Sequence, residues 1–387
     1  MRRARSVLAA ICLLAAGCAE RDPSPPAAGG PSWERLSDSP LGPRHSALAF
    51  WTGERVLILG GRDTQPCHPA ADCTPPPEPA LRDGAEWDPA TGAWRRIADA
   101  PVSLEYASGT VLDGVLYLLV HPAEAGADEP ERLFSFDPSA NAWDELPRPP
   151  DTDRRLGRQA LAAGDILVAY WPTQELGVHP DLVYDPAARE WRELPADPIV
   201  PSFDRNMVWT GSEVVLTGIE SVPQPGSDGP ALYRAASLDP GSATWTRFPD
   251  SPVTGYSPIW FWAGERVVNG AIGVSDGGEV GGWERPYPHG GMLDPATGTW
   301  SALPDPPEEA GPYPGPSATN GVSVLAGNGW ILHVPSGTWR RLSRPPETVD
   351  VGEAVVWAGD RIVVWGGARW NGAEAALVAE GWSYPTG

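Results

Sequence analysis

The sequence predicts an all-β fold: a seven-bladed β-propeller with four antiparallel strands in each blade, closed by an N-terminal strand. The first observation is a motif, W-x-x-[L/I/F]-x-x-x-P, repeated at intervals of about 50 residues, a period typical of propellers. The second is the 46 Pro and 44 Gly among 387 residues, which favour short strands joined by turns. The seven motif copies begin at Trp33, Trp94, Trp143, Trp191, Trp245, Trp300 and Trp339.

The N-terminal residues have the pattern of an export signal. Arg2, Arg3 and Arg5 precede an apolar run, residues 7–16, that is too short to cross a bilayer, which takes about 20 residues. The end of this segment, residues 14–18, resembles the lipobox of bacterial lipoproteins, in which the Cys is lipidated. We therefore predict a signal peptide (1–18) with lipidated Cys18, a flexible Pro/Ala/Gly tether (19–31) and a propeller (32–387). Ordinary cleavage, with Cys18 incidental, is the alternative.

The first full repeat contains four predicted strands, at residues 46–51, 55–59, 84–87 and 93–97, separated by Gly-rich or Asp-Pro turns. The first hairpin recurs at 208–214, 261–267 and 356–362, in weaker form at 112–114 and 163–165, and least clearly in the short repeat 317–342. The last repeat, 352–380, has three predicted strands and no copy of the motif. Residues 32–36 are expected to supply its fourth strand and so to close the ring.

Two features carry a resemblance to the kelch repeat over residues 32–382. They are the double glycines at 60–61 and 366–367, and an Asp-Pro pair before the motif Trp in five copies. The resemblance implies a propeller like the central domain of galactose oxidase. Copper enzymes of that kind use two Tyr and two His, with one Tyr cross-linked to a Cys. Here the two Cys of the propeller, Cys67 and Cys73, lie in one loop, so we expect no cofactor and no metal.

Cys67 and Cys73 are expected to form a disulfide in an exported protein. The alternative is a metal site made of Cys67, His68, Asp72 and Cys73.

The connectivity of a four-stranded blade separates two faces. Turns between strands one and two, and between strands three and four, lie on one face and are tight. The other face carries the long, variable connections, such as 61–83, 171–181, 219–231 and 271–291. Function concentrates on variable loops held by a rigid scaffold, so we predict that this second face binds a ligand. The alternative is that these loops are tolerated insertions without a function.

Polar and aromatic residues enter the inner strands from that face and are expected to ring the mouth of the central channel. Arginines beside aromatic rings suit acidic sugars or peptides. The predicted ligand-binding residues are Arg44, His45, Tyr106, Arg155, Arg158, Phe203, Asp204, Arg205 and Tyr256, with Glu105 and Glu353 at the same level.

We expect a monomeric envelope lipoprotein on the extracytoplasmic side that binds a protein or a glycan without catalysis. A carbohydrate-active enzyme (epimerase, lyase or hydrolase) with a site at the channel mouth is the alternative, and a purely structural component is the third possibility. The net charge of −22 disfavours nucleic acid. The G-x-S-x-G match at 273–277 lacks the following helix that a nucleophile elbow needs. Titratable groups with shifted pKa values in one deep pocket would favour the enzyme, and a broad shallow face with exposed aromatic residues would favour binding.

Overall fold

The computed structural model describes residues 31–387 with gaps at 69–72, 74–77, 105, 122–129, 151–156, 222–229, 256–258, 277–281, 284, 308–316, 327–328 and 373. The regular elements in these ranges are β-strands, and no α-helix occurs among them. A helix long and apolar enough to cross a membrane is not found in these ranges.

The strands form seven antiparallel sheets of four, which are the blades, numbered here along the chain and given from the inner to the outer strand. Blade 1 contains β2 (Leu48–Trp51), β3 (Val56–Leu59), β4 (Gly84–Trp87) and β5 (Trp94–Ile97). Blade 2 contains β6 (Ala107–Leu112), β7 (Val115–Val120), β8 (Arg132–Asp137) and β9 (Ala142–Glu145). Blade 3 contains β10 (Gln159–Ala163), β11 (Ile166–Tyr170), β12 (Leu182–Asp185) and β13 (Glu190–Glu193).

The remaining blades follow the same order, and blades 5 and 7 each carry an additional hairpin. Blade 4 contains β14 (Ser202–Trp209), β15 (Val214–Glu220), β16 (Tyr233–Asp239) and β17 (Thr244–Arg247). Blade 5 contains β18 (Phe261–Ala263), β19 (Arg266–Asn269), β22 (Gly291–Asp294) and β23 (Thr299–Ser301), with the hairpin β20 (Val274–Ser275) and β21 (Tyr287–Pro288). Blade 6 contains β24 (Ala318–Thr319), β25 (Ser323–Ala326), β26 (Trp330–His333) and β27 (Thr338–Arg341). Blade 7 contains β28 (Ala354–Ala358), β29 (Arg361–Trp365), β32 (Gly381–Pro385) and β1 (Glu34–Arg35), with the hairpin β30 (Ala368–Asn371) and β31 (Glu374–Leu377).

An N-terminal strand closes the ring, as predicted. β1 pairs antiparallel with β32, so that Glu34 lies opposite Ser383 and Arg35 opposite Trp382. The inner strands contact one another in chain order around the circle, and β28 of blade 7 contacts β2 of blade 1. The prediction of three blade strands within 352–380 was wrong in one respect: β30 and β31 form a separate hairpin there, and the third strand of the blade is β32.

The core lies between neighbouring blades because the second strand of each blade is buried on both sides. In β3, Val56 and Ile58 pack in a cluster with Val363 of blade 7. Leu57 and Leu59 pack in the next cluster, with side chains of blade 2. Alternate side chains of a strand point to opposite faces, so a continuous apolar run such as V-L-I-L can supply two interblade cores at once.

The motif tryptophans join the blades in a closed ring of hydrogen bonds. Each indole N–H donates to the backbone carbonyl four residues after the Trp of the preceding copy, over 2.5 to 3.1 Å. The pairs are Trp94–Ser37, Trp143–Ala98, Trp191–Pro147, Trp245–Pro195, Trp300–Pro249, Trp339–Pro304 and Trp33–Ser343. The prediction that these tryptophans pack on the neighbouring blade is confirmed, and Trp33 completes the circle.

The predicted disulfide is present. Cys67 and Cys73 are bonded, with their Cα atoms 5.7 Å apart, in the connection between β3 and β4. The His68 ring in this loop contacts Trp370 of the blade 7 hairpin at 4.7 Å between ring centroids. Asp72, which belonged to the alternative metal site, lies outside the described residues.

Candidate binding face

The two ends of the propeller differ in the length of their connections. Turns between the first and second strands and between the third and fourth strands are short, and residues 88–93 form the longest of them. The opposite end, called here the long-connection face, carries the links between blades and between the second and third strands. Residues 60–83 and 171–181 are examples, and blade 6, with only 327–329, is the exception.

Large hydrophobic side chains are exposed mainly on the long-connection face. Seven such side chains are exposed among the described residues, and Val322 alone of these lies in a short turn of the other face. The other six belong to blades 2 to 5 and their links: Tyr106, Leu176, Val178, Val200, Ile259 and Val274. Clustered exposed apolar side chains mark interaction surfaces more often than scattered ones do.

Three of these side chains lie where blades 3 and 4 meet. Leu176 and Val178, on the 171–181 loop, are 53% and 56% exposed, and Val200 precedes β14. Exposed carboxylates flank them at Glu175 and Asp204. These five residues are called here the blade 3–4 rim.

Asp204 is carried on a β-bulge at the start of β14. The register with β15 shifts between Phe203 and Asn206, and Asp204 has a left-handed φ of 48°. A bulge of this kind bends the strand and redirects a side chain, here at the mouth of the ring. Partial burial raises the pKa of the Asp204 carboxyl, and the negative charge of Glu175 raises it further.

A buried ion-pair network, called here the Arg205 network, lies at the junction of the two blades. One guanidinium nitrogen of Arg205 donates to Asp181 over 2.7 Å and to Asp197 over 2.9 Å. Its other terminal nitrogen donates to the carbonyl of Trp171 over 3.0 Å. All three charged side chains are almost fully buried. Burial raises the pKa of the Asp197 carboxyl, against the opposing effect of the Arg205 charge.

The network fixes the 171–181 loop at both of its ends. Trp171 and Asp181 are the first and last residues of the loop, and both bind Arg205 of β14. The middle of the loop is held by Gln174, whose backbone N–H donates to the carbonyl of Ser202 over 2.8 Å. The side-chain oxygen of Gln174 accepts from the Ser202 backbone N–H over 3.0 Å. Leu176 and Val178 are therefore presented on a loop with buried anchors.

Two more of the predicted ligand-binding arginines are buried in ion pairs. Arg44 binds Asp83 through two hydrogen bonds of 2.5 and 3.0 Å. Arg158 binds Glu131 of blade 2 over 3.0 Å, and its guanidinium lies 4.3 Å from the ring centroid of Trp171. Removing either partner from such a pair leaves an uncompensated charge, so substitution of these arginines alone is expected to destabilise the fold.

The remaining predicted site residues are distributed between surface and interior. Tyr106 and Asp204 are exposed, and Phe203 is half-buried against the core between blades 4 and 5. His45 is buried, which lowers the pKa of its imidazole, and the charge of Arg62 lowers it further. Arg155, Tyr256, Glu105 and Cys18 lie outside the described residues. That any of the predicted residues contacts a ligand stays a prediction.

Sequence reasoning missed the acidic partners and the apolar rim. A signal for the partners was present, because Asp83, Glu131 and Asp181 each stand directly before the third strand of their blade. The sequence contains no comparable signal for the blade 3–4 rim, because it does not show whether an isolated aliphatic residue in a loop is buried or exposed.

A cavity of about 430 Å³ lies between blades 1 and 2. It opens on the face that carries the short turns, opposite the long-connection face, which is called here the short-turn face. Its lining is strongly charged, with Arg95 paired to Glu86 over 2.9 Å and Arg55 to Asp88 over 3.4 Å nearby. In the described ranges, no group of three or more His, Cys, Asp or Glu side chains is arranged to hold a metal ion.

No family model matches the chain, and no curated protein matches it. Among solved structures it is similar to one described as "Structure of YjhT", at 13% sequence identity, covering 89% of this chain and 95% of that chain, with a TM-score of 0.45. The function must therefore be argued from the residues of this chain.

Proposed function

We propose that this protein is a non-catalytic binding module that engages a protein or glycan partner through the long-connection face. The observation that carries the proposal is the concentration of exposed large hydrophobic side chains on that face, over blades 2 to 5. Such an apolar surface costs free energy in water unless it is covered by a partner.

The chemistry of the blade 3–4 rim favours a protein partner. Leu176, Val178 and Val200 offer aliphatic contact area, and Glu175 and Asp204 place negative charge beside it. A partner segment with apolar side chains next to Lys or Arg would complement both features. The carboxylates lie on an exposed rim rather than in a deep pocket, which favours binding over catalysis.

The buried anchors of the 171–181 loop support the same function. A loop held by the Arg205 network and by Gln174 loses little conformational freedom when a partner binds. Preorganisation of this kind increases affinity because it lowers the entropic cost of association.

Charge substitution at the rim tests the proposed face. The domain from residue 32 onward would be used as bait for envelope proteins and on a glycan array, first as wild type and then with Val178→Arg. We expect Val178→Arg to weaken capture by at least about tenfold, or roughly 1.4 kcal/mol, because a guanidinium would occupy an apolar contact. The change should leave the melting temperature nearly unaltered, since the side chain is 56% exposed.

Val322→Arg is the matched control, because Val322 is also a valine, is 43% exposed and lies on the short-turn face. It should leave capture unchanged. Equal loss in the two variants, or loss with Val322→Arg alone, would refute the choice of face.

We further propose that the protein is exported and anchored to the membrane through lipidated Cys18. The basic residues, the short apolar run and the small residues before Cys18 support this proposal. In a bacterial host, Cys18→Ser should prevent formation of the processed, membrane-bound protein. The variant should appear in the soluble fraction or remain as a precursor with its signal peptide uncleaved. Cys12→Ser, within the same signal segment, should have no such effect. Retention of Cys18→Ser in the membrane as a fully processed protein would refute the anchor.

A further inference from the structure

A cavity of about 400 Å³ lies between blades 6 and 7. Its lining includes the connection between β27 and β28 and the ends of β25 and β29, which places it toward the long-connection face. It is called here the blade 6–7 cavity. It is far along the ring from the blade 3–4 rim and shares no residue with it.

On the blade 6 side, the cavity borders a short connection. The link between β25 and β26 is the shortest of its kind in the ring, and its last residue, Gly329, lines the cavity. Blade 7 contributes residues of β28, β29 and β32 to the opposite side. The volume lies within the range of about 300 to 1,000 Å³ that is usual for small-molecule sites.

The inner walls of the cavity are apolar. Seven Leu, Ile and Val side chains line the cavity, and they include Leu325, Val355 and Val364. Walls of this kind suit the hydrocarbon part of a ligand, because its burial removes apolar surface from water.

The polar lining is predominantly acidic. Four carboxylates contribute to it, against one arginine, Arg344; the carboxylates are Glu347, Asp350, Glu353 and Glu380. The whole chain carries a net charge of −22, which adds to the attraction of cations and to the repulsion of anions.

Three of these carboxylates are already engaged by the protein. Arg369 of the blade 7 hairpin binds Glu347 over 2.9 Å and Glu380 over 3.4 Å. Asp350 accepts a hydrogen bond of 2.7 Å from the backbone N–H of Trp370. These contacts hold the acidic lining in place.

Glu353 differs from the other three. Within the described part of the chain its carboxylate makes no hydrogen bond and no ion pair, although the residue is half-buried and lines the cavity directly before β28. A carboxylate beside apolar walls gains from a cation there, because an ion pair is stronger where water is partly excluded.

We propose that the blade 6–7 cavity binds a small organic cation, with an aliphatic or aromatic body between the apolar walls and an ammonium or guanidinium group on Glu353. The cation could belong to a free amine or to a lysine side chain of a partner, and the two sources present the same chemistry to the cavity.

Isothermal titration of the full chain with matched small probes tests the proposal. Benzylamine stands for a free amine, Nα-acetyl-lysine methylamide for a partner's side chain, and benzyl alcohol for a neutral molecule of the same shape. We expect at least one of the amines to bind at least about tenfold more tightly than benzyl alcohol. Tighter binding of benzylamine would identify a free amine, and tighter binding of the lysine derivative would identify a partner's side chain. Equal binding of the amines and the alcohol, or no binding at about 10 mM, would overturn the proposal.

Two substitutions locate the site. Glu353→Gln should weaken amine binding about tenfold, whereas Glu374→Gln, at an exposed carboxylate in β31, should not change it. Val364→Phe should abolish binding of both amines, because the larger side chain would fill the cavity and leave its charges unchanged. Thermal unfolding of each variant without ligand would show that it is folded. Unchanged binding in Glu353→Gln or in Val364→Phe would place the amine elsewhere and refute the site.

Discussion

Removal of residues 1–37 should open the ring and lower the melting temperature by roughly 5 °C or more relative to removal of residues 1–30. The longer deletion eliminates β1, which pairs with β32, and the indole hydrogen bond from Trp33 to Ser343. It also removes Leu36, which is buried in the core between blades 7 and 1. Loss of a buried Leu costs about 2–5 kcal/mol, and loss of a hydrogen bond about 1 kcal/mol more.

The shorter deletion is the control because it leaves Trp33, β1 and Leu36 in place. The longer deletion should also increase light scattering on heating, since the exposed edge of β32 becomes available for pairing with other chains. Equal melting temperatures for the two proteins would contradict closure by the N-terminal strand.

Arg205→Met should destabilise the protein by about 3–5 kcal/mol at neutral pH. The substitution leaves the carboxylates of Asp181 and Asp197 buried without their shared cation. Urea unfolding of the variant and the wild type measures the difference. Arg234→Met is the matched control, because Arg234 is a less buried arginine whose acceptors, Glu220 and Asp250, are more exposed. It should cost no more than about 1 kcal/mol.

The loss of stability caused by Arg205→Met should increase as the pH rises. Burial already raises the pKa of Asp197, and removal of the Arg205 charge would raise it further. When the pKa of a carboxyl is higher in the folded state than in the unfolded state, the free energy of unfolding is greatest while the carboxyl is protonated and decreases as the pH rises. The free-energy difference between variant and wild type should therefore be largest near about pH 7 and smaller toward about pH 4.

Neutralising the two acids provides a second check. Asp181→Asn with Asp197→Asn, added to Arg205→Met, should recover a large part of the lost stability, because no buried charge then remains in the network. A penalty that is independent of pH and is not relieved by the two Asn substitutions would show that the ion pairs do not account for the effect.

The architecture was predictable because each blade repeats the same types of side chain at the same spacing along the sequence. The motif Trp and the aliphatic residue three positions later mark each outer strand, and the missing motif in the last repeat predicts closure by residues 32–36. The ring of indole hydrogen bonds was not predictable in the same way. Its acceptors are backbone carbonyls, at positions as different as Ser37, Ala98 and Pro147, so they leave no pattern in the sequence.

The candidate site was predictable only in its position on the chain. Arg44, Arg158 and Arg205 do lie at the same end of the inner strands, as the repeat register indicated. Whether such a guanidinium faces solvent depends on carboxylates far away in sequence: Asp181 is 24 residues from Arg205, and Asp83 is 39 residues from Arg44. The exposed side chains around them depend on how the long connections pack, which local sequence patterns do not specify.

Site-specific photo-crosslinking tests most directly whether the long-connection face is the binding face. A photoreactive phenylalanine derivative would replace Val178 in one variant and Val322 in another, and each would be irradiated in the cells that produce it. Both positions are exposed valines, on opposite faces of the ring. A defined adduct at position 178 and none at position 322 is the result we predict. An adduct at position 322 with none at position 178 would contradict the proposed binding face.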